Sequence, residues 1–402
     1  MNPVRPGRIL MLVTNLTYGG AETQVVRLAI EWKQRGWDVR VACLIGPDAY
    51  VSQLEKHGIG IDPLGMKRGV PDFNAVLRLR TLVRKFQPDV VHCHMFHANL
   101  LGRVTRLFCR IPILVSTVHN LRETSERGGP TGYKEFLYRL TDGLGSTTTI
   151  ICRAAYERYV RVGAVPAKRL HVLPNGVDTK AFSPSGARRS EARKSLGVDS
   201  EFVWLAVGRL VKQKDYPNLF RAIASIEHED VQKFTVLIAG NGPLELELRA
   251  EVDQLGIADK VRFCGAREDI IDLYSAADAF VMSSEFEGLS VALLEASSMA
   301  LPAVVTDAGG NAEIVRDGVT GYVVPVSSAN ELGAAMLKMM GTSKDEFERM
   351  SVSARAVCYE QYRTEAIMEQ WLRLFESCLP KKVARHGFTF LPTVTNQNGG
   401  AN

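Results

Sequence analysis

Two carboxylates, with seven residues between them, bracket the stretch Glu287-Gly-Leu-Ser-Val-Ala-Leu-Leu-Glu295, and two cations, Arg209 and Lys214, stand five positions apart earlier in the chain. A carboxylate accepts paired hydrogen bonds from neighbouring hydroxyls, so a sugar ring at Glu287 and a ribose at Glu295 would occupy both acids. Arg209 can fork onto phosphate oxygens while Lys214 supplies a point charge. A diphosphate flanked by two sugars has this size and polarity. Read one by one, the same residues are ordinary: an acid at a helix start, a partly exposed helix acid and two solvated loop cations.

The elements that must position these groups can be read from the flanks. Val291, Leu293, Leu294 and Met299 suit a buried helix starting near Leu289, and Leu301-Pro302 ends it, because proline disfavours a helical residue before it. Glu287 and Gly288 then sit at the helix mouth, where free N–H groups and the dipole favour phosphate and where Gly288 lets a ligand approach the backbone. At the usual helical rise Glu295 lies about 12 Å further on. Gly208-Arg209 directly follows the apolar run Phe202 to Val207, and Lys214 falls in a loop before a helix near Tyr216.

The remaining strand candidates alternate with helical stretches. They are Arg8 to Val13, Asp38 to Leu44, Asp89 to Cys93, Ile113 to Val118, Thr147 to Ile151 and Leu170 to Leu173, then Phe234 to Ala239, Val261 to Cys264, Ala279 to Met282, Ala303 to Thr306 and Gly321 to Val324. Alternation of this kind implies parallel sheets covered on both sides. The polar stretch Ser183 to Ser195 separates the two series. The expected division is therefore 1–183, 184–363, a closing helix over 364–380 that returns to the first domain, and a disordered tail over 381–402. At 402 residues two domains are also the default.

Gly19-Gly20 follows the first strand candidate and opens a helical stretch, a strand-loop-helix arrangement suited to phosphate. The chain has no G-x-G-x-x-G after that strand and no G-x-x-x-x-G-K-[ST], which argues against dinucleotide oxidoreductases and P-loop enzymes. His92-Cys-His94-Met-Phe-His97 has the look of a metal cluster, with His92 and His94 on one strand face, but no carboxylate stands near it and no metal site is expected. His119 ends the strand Ile113 to Val118, where a doubly wound sheet places its ligand, and a polar, glycine-rich loop follows to Gly132.

Charge is unevenly spread. Residues 1–180 carry 26 Lys and Arg against 14 Asp and Glu, and the remainder 23 against 30. The basic residues of the first half, Lys67-Arg68, Arg78, Arg80, Arg84-Lys85, Arg103, Arg106 and Arg110, are interleaved with leucines and valines, a pattern that suits an anionic lipid surface as well as a solvated helix face. No nucleic-acid motif accompanies the charge. No apolar run is long enough to span a bilayer, the N-terminus lacks a small-residue cleavage site, and the seven cysteines are scattered without a C-x-x-C pair, so a cytoplasmic, reduced protein is expected.

Taken together, Gly19-Gly20, His119, Asn175-Gly-Val-Asp178, Gly208-Arg209 to Lys214, Gly240-Asn-Gly242-Pro, Glu287 to Glu295 and Gly309-Gly310-Asn-Ala-Glu313 resemble glycosyltransferase family 4 in the right order over roughly residues 8–375. The resemblance implies an α/β GT-B fold, two facing Rossmann-like, doubly wound domains with a cleft between them. It further implies a retaining glycosyltransferase of hexosyltransferase type, using a UDP- or GDP-sugar and no cofactor or metal. The implied catalytic set is Glu287, Arg209, Lys214 and His119, with His119 facing the donor sugar. The implied donor-binding set is Gly19, Gly20, Gly208, Phe263, Gly265, Gly288, Leu289, Ser290 and Glu295, with the base resting on Arg262-Phe-Cys-Gly265. Asp215 stands where many relatives have glycine, and EGLS replaces the commoner EGFG. The implied acceptor is a growing saccharide or a lipid-diphosphate-linked saccharide at the inner membrane face, as in bacterial surface-polysaccharide assembly by similar enzymes. A sugar-nucleotide 2-epimerase and a non-catalytic nucleotide-sugar sensor are the rival readings.

Overall fold

The structure of the protein, a computed structural model, describes residues 7–17, 19–121, 132–226, 232–267 and 269–379. The polar, glycine-rich loop after His119 and the expected tail fall largely or wholly outside these residues. The chain divides into two compact units. Unit 1 holds the described residues of Met1–Ile151, Ala155–Leu173 and Met368–Asn402, and unit 2 those of Cys152–Ala154 and Pro174–Ile367.

Unit 1 is built on a seven-stranded sheet of β1 (Arg8–Val13), β2 (Asp38–Cys43), β3 (Gly60–Pro63), β4 (Val90–His94), β5 (Ile113–Val118), β6 (Thr147–Ile150) and β7 (Leu170–Val172), in the order β3-β2-β1-β4-β5-β6-β7 with every pair parallel. The strands of its centre are buried along nearly their whole length, as a sheet covered on both faces requires. The strand order reverses between β1 and β4, so the loop after β1, which carries Gly19-Gly20, and the end of β4 share the edge of the sheet where such folds hold ligands.

Strand β3 was not foreseen. Gly60-Ile-Asp-Pro has too little apolar sequence to read as a strand, and it forms because it is an edge whose partner supplies the specificity: Arg40 on β2 donates to both carboxylate oxygens of Asp62, at 2.7 and 2.8 Å. Pro63 is tolerated at such an edge. The helix Thr364–Ser377 crosses from unit 2 into unit 1, where Trp371 and Phe375 enter an aromatic cluster with Trp32 and Trp37; Phe375 lies 5.4 Å from Trp32.

Unit 2 carries a six-stranded parallel sheet of β8 (Phe202–Val207), β9 (Phe234–Ala239), β10 (Val261–Gly265), β11 (Ala279–Met282), β12 (Ala303–Thr306) and β13 (Gly321–Val324), in the order β10-β9-β8-β11-β12-β13. Its order reverses between β8 and β11. Trp204, Phe220, Ile223, Ile238 and Met336 lie in one buried core cluster of this unit.

The two units meet in sequence at Pro174 rather than after Ser183, because 174–183 is tied into unit 2. Asn175 donates to the Leu289 carbonyl, Val177 bridges to Arg363, and the Ser298 hydroxyl donates to the Phe182 carbonyl. The stretch expected as a polar linker is instead largely the helix Gly186–Leu196, capped by Ser185. Its arginines are structural: Arg189 and Arg193 reach Asp278 and the carbonyls of Ala276 and Ala277. Polar composition reads as linker only when the polar groups have no partner on a neighbouring element.

Candidate active site

Topology brings the predicted cations and carboxylate of unit 2 together. Gly208, Arg209 and Lys214 follow β8, Glu287 follows β11, and β8 pairs directly with β11 at the switch in strand order. Lys214 Nζ lies 2.7 Å from Glu287 Oε1, and the Ser284 hydroxyl donates to the same oxygen at 2.7 Å. The pair is largely buried, with 16% and 9% of the two side chains exposed. Glu287 Oε2 has no hydrogen-bond partner among the described residues. Tyr216, buried beside this pair, donates to the Gly208 carbonyl, and burial together with the Glu287 charge pushes its phenol up.

Arg209 differs from Lys214. It is exposed, and its side chain has no partner among the described residues. Its loop is held in place by backbone approach. Gly240 has φ +142°, and a Cβ there would stand 2.0 Å from the Gly208 carbonyl oxygen; one on Gly242 would stand 2.4 Å from that of Leu210. The Gly240-Asn-Gly242 motif therefore serves the arginine loop rather than touching a ligand through side chains. Lys214 ends a 3-10 turn over Lys212–Lys214 and precedes Asp215, whose φ of 44° is left-handed. That conformation is one glycine adopts without strain, and Asp215 is suited to it because its carboxylate caps the helix Tyr216–Ala224 by accepting from Asn218 N at 3.3 Å.

The helix after Glu287 is Val291–Ser298 and begins two residues later than expected, because Ser290 caps it through its hydroxyl. Glu287 lies outside the helix, and the spacing of the two carboxylates from helical rise does not hold. Ser290 thus has its side chain engaged in capping, and Leu289 is buried with its carbonyl held by Asn175. Gly288 accepts from Gly310 N at 2.9 Å, and a Cβ on Gly310 would stand 2.3 Å from the Gly288 oxygen. The Gly309-Gly310 motif seats the Glu287 loop. Glu313, in the same motif, accepts from the backbone N–H groups of Arg153 and Ala154 at 3.0 Å each.

Glu295 is buried within the helix and accepts from the Tyr274 hydroxyl at 3.0 Å. Phe263 on β10 and Gly265 at its end lie at the edge strand, two strands from β8. The Phe263 ring is turned into the core against Phe220, with the Arg249 guanidinium 4.5 Å over its face. Ser284, Tyr216 and Tyr274 were missed from sequence. Ser284 lies three residues before Glu287 and carries a local signal; Tyr274 reaches Glu295 from another helix and carries none.

In unit 1, Gly19 and Gly20 stand where the helix Gly20–Gln34 begins, and His119 directly follows β5. His119 Nε2 lies 3.0 Å from His94 Nδ1, and burial pulls the imidazoles of His119 and His92 down to about 4 and about 3. No group of three or more His, Cys, Asp or Glu able to hold a metal occurs among the described residues. An open cavity of about 680 Å³ lies by Arg106, Gly145, Lys168, Arg169 and His171, where β6 and β7 begin, at the opposite edge of the sheet from His119.

Two parallel α/β units, with cations after one strand and a carboxylate after its neighbour at the switch point, define a GT-B fold. The Anabaena protein HepE, solved with UDP and glucose, superposes with a TM-score of 0.80 at 22% identity, over 92% of this chain and all of that one. In sequence, residues 18–181 match Glycosyltransferase Family 4 and residues 188–357 match Glycosyl transferases group 1. The chain belongs to glycosyltransferase family 4. Among its relatives is the Escherichia coli UDP-Gal:alpha-D-GlcNAc-diphosphoundecaprenol alpha-1,3-galactosyltransferase, 27% identical over 67% of this chain and 71% of that protein. The D-inositol 3-phosphate glycosyltransferase of Nocardia farcinica is 28% identical over 88% of this chain and 85% of its own.

Proposed function

We propose that the protein transfers a hexose, with retention, from a UDP- or GDP-sugar to a saccharide carried on a lipid diphosphate. The observation that carries this reading is the buried Lys214–Glu287 pair, with Glu287 Oε2 left unpartnered, beside the exposed and unpartnered Arg209. Glu287 Oε2 is suited to hydroxyls of the donor sugar. Arg209 and Lys214 meet the charge that grows on the diphosphate as the bond from the sugar's anomeric carbon to phosphate oxygen breaks. The acceptor hydroxyl attacks from the face the nucleotide leaves, and its proton passes to a donor phosphate oxygen. Glu295 takes the ribose, and the main chain around Phe263–Gly265 takes the base. In unit 1, His119 and the Gly19-Gly20 backbone contribute contacts to sugar and phosphate. The reading assigns the leaving-group charge to side-chain cations rather than to a metal ion.

The lipid side of the acceptor is supported by one helical layer of unit 1. The helices Asn74–Phe86, Phe96–Thr105 and Gly132–Thr141 pack side by side, and Phe73, Leu77, Leu107, Phe108, Phe136 and Leu140 are exposed on or beside them. Arg78, Arg84, Lys85, Arg110 and Arg139 are exposed in the same segments. Two arginines expected on this face are not part of it. Arg103 is fully buried, donating to Ser116, Thr141 and Thr148, and Arg106 donates to Ser146 and the carbonyls of Leu144 and Pro112. A basic surface studded with aromatic and aliphatic side chains suits an anionic leaflet. No helix among the described residues is long and apolar enough to cross a membrane.

The test is a panel of UDP- and GDP-sugars scanned for thermal stabilisation and then for nucleotide release. A true ligand at a hundredfold excess over its dissociation constant stabilises by about 2.7 kcal/mol. The expected result is a shift with one nucleotide class that is lost in Arg209→Ala, and nucleotide release that is lost in Glu287→Gln. No shift with any nucleotide-sugar, or a covalent glycosyl adduct on Glu287, refutes the reading.

A further inference from the structure

His92 and His94, which the sequence offered as an incomplete metal motif, have another use. On β4 they share a face, and their rings lie 4.0 Å apart. His92 Nε2 is 2.7 Å from the Thr117 hydroxyl, which is 2.7 Å from that of Thr149, so β5 and β6 pin the first ring. Trp371, on the part of the last helix that belongs to unit 1, lies 4.5 Å from the same ring. His94 continues the row, with its Nδ1 3.0 Å from His119 Nε2. All three imidazoles are buried, and His94 Nε2 and His119 Nδ1 have no partner among the described residues.

We propose that His94 is a positioning residue for sugar transfer: its Nδ1–H donates to His119 Nε2, which places the His119 proton on Nδ1 and holds that N–H ready for an oxygen of the donor sugar. This rests on the assignment of His119 to the sugar. The direction of the bond follows from what each arrangement leaves orphaned. If His94 donates, its buried Nε2 is a bare acceptor, and the one unsatisfied donor is His119 Nδ1–H, at the end of β5 where the proposed function places the donor sugar. The reverse arrangement leaves the orphaned N–H on His94 Nε2, a group that the proposed contact with the sugar does not reach, so its cost is not relieved by substrate. Burial favours the neutral ring in each, so one proton is shared in each contact and the tautomers of the two rings are locked together. The tilted row from Trp371 through His92 packs against the ring that does the locking.

The experiment compares the full-length wild type with His94→Leu and His94→Asn, whose amide can place a donor near the position of Nδ1. It reads donor KM and kcat with the nucleotide-sugar identified above, and the nitrogen-15 shifts of His119. The expected result is His119 protonated on Nδ1 in wild type and mixed between tautomers in His94→Leu. With that comes a loss of about tenfold in kcat, donor KM changed less than twofold, and substantial recovery in His94→Asn. Nucleotide binding, which reports unit 2, should be unchanged, and circular dichroism and melting temperature of each variant check the fold of unit 1, where His94 lies. The proposal is overturned if His119 carries its proton on Nε2, if His94→Leu leaves its tautomer unchanged, or if the Leu and Asn variants are equally impaired. If His119→Ala transfers sugar at the wild-type rate, the assignment of His119 to the sugar fails, and the nitrogen-15 shifts still decide whether His94 sets its tautomer.

Discussion

Lys214 Nζ and Glu287 Oε1 lie 2.7 Å apart although 73 residues separate them in sequence, because β8 and β11 are neighbours in the sheet. Removing one partner leaves a mostly buried charge uncompensated. Lys214→Ala should lower stability by about 3 kcal/mol, and the double variant with Glu287→Gln should lose at least about 1 kcal/mol less than the sum of the singles. Urea unfolding of the four proteins of the cycle measures this coupling, and strict additivity would mean the pair carries no structural energy.

Arg209 should behave oppositely. Exposed and without a protein partner, it contributes little to the fold. Arg209→Ala is expected to change stability by no more than about 0.5 kcal/mol while reducing transfer by about 100- to 1,000-fold. Melting temperature and initial rate on the same preparation separate the two effects.

Two left-handed residues make a stability test independent of activity. Asp215 (φ 44°) caps a helix, so Asp215→Ala keeps the strain, loses the cap and should cost about 1 kcal/mol, whereas Asp215→Gly should be close to neutral. Ala300 (φ 61°) is the left-handed residue that closes the helix Val291–Ser298, its N–H donating to the Ser297 carbonyl and that of Leu301 to the Ala296 carbonyl, so Ala300→Gly keeps both backbone bonds, removes the strain and should stabilise by about 1 kcal/mol. Chemical denaturation of the three variants is sufficient.

The buried histidines give unit 1 an acid sensitivity. His119 and His92 are held to about 4 and about 3 by burial, below the value of about 6.5 expected in an unfolded chain. Between those limits the unfolded state binds more protons, so this stabilisation is present in full above about pH 6.5 and is lost as pH falls toward 4. Unfolding midpoints at pH 7 and pH 5 should differ, and the difference should shrink in His119→Gln.

Replacing Phe73 and Leu77 with serine should weaken sedimentation with anionic vesicles at low salt without changing nucleotide binding. Replacing Arg84 and Lys85 should weaken it by about 1 kcal/mol per charge and reduce its salt dependence. Equal sedimentation with neutral vesicles would remove the electrostatic part of the argument.

What the sequence determined by itself was local. Apolar runs of strand length such as Phe202–Val207 and Ala279–Met282 stood where strands form, because a parallel sheet buried on both faces leaves strands almost no polar positions. Arg209, Lys214, Glu287 and Glu295 stood out as candidates from their charge and, for the first three, from the glycine-containing loops that carry them, although the helical spacing drawn between the two carboxylates did not hold. Tertiary structure decided the partnerships. It decided that Lys214 pairs with Glu287, that Tyr274 reaches Glu295, that Arg103 is a buried strut rather than a surface charge, and that Ser183–Ser195 is mostly helix pinned to Asp278. It also turned the His92-x-His94 pattern from an unfinished metal site into a bonded row ending at His119. Each of these depends on which strands are neighbours, and hydrogen-bonding partners tens of residues away leave no mark in the local pattern.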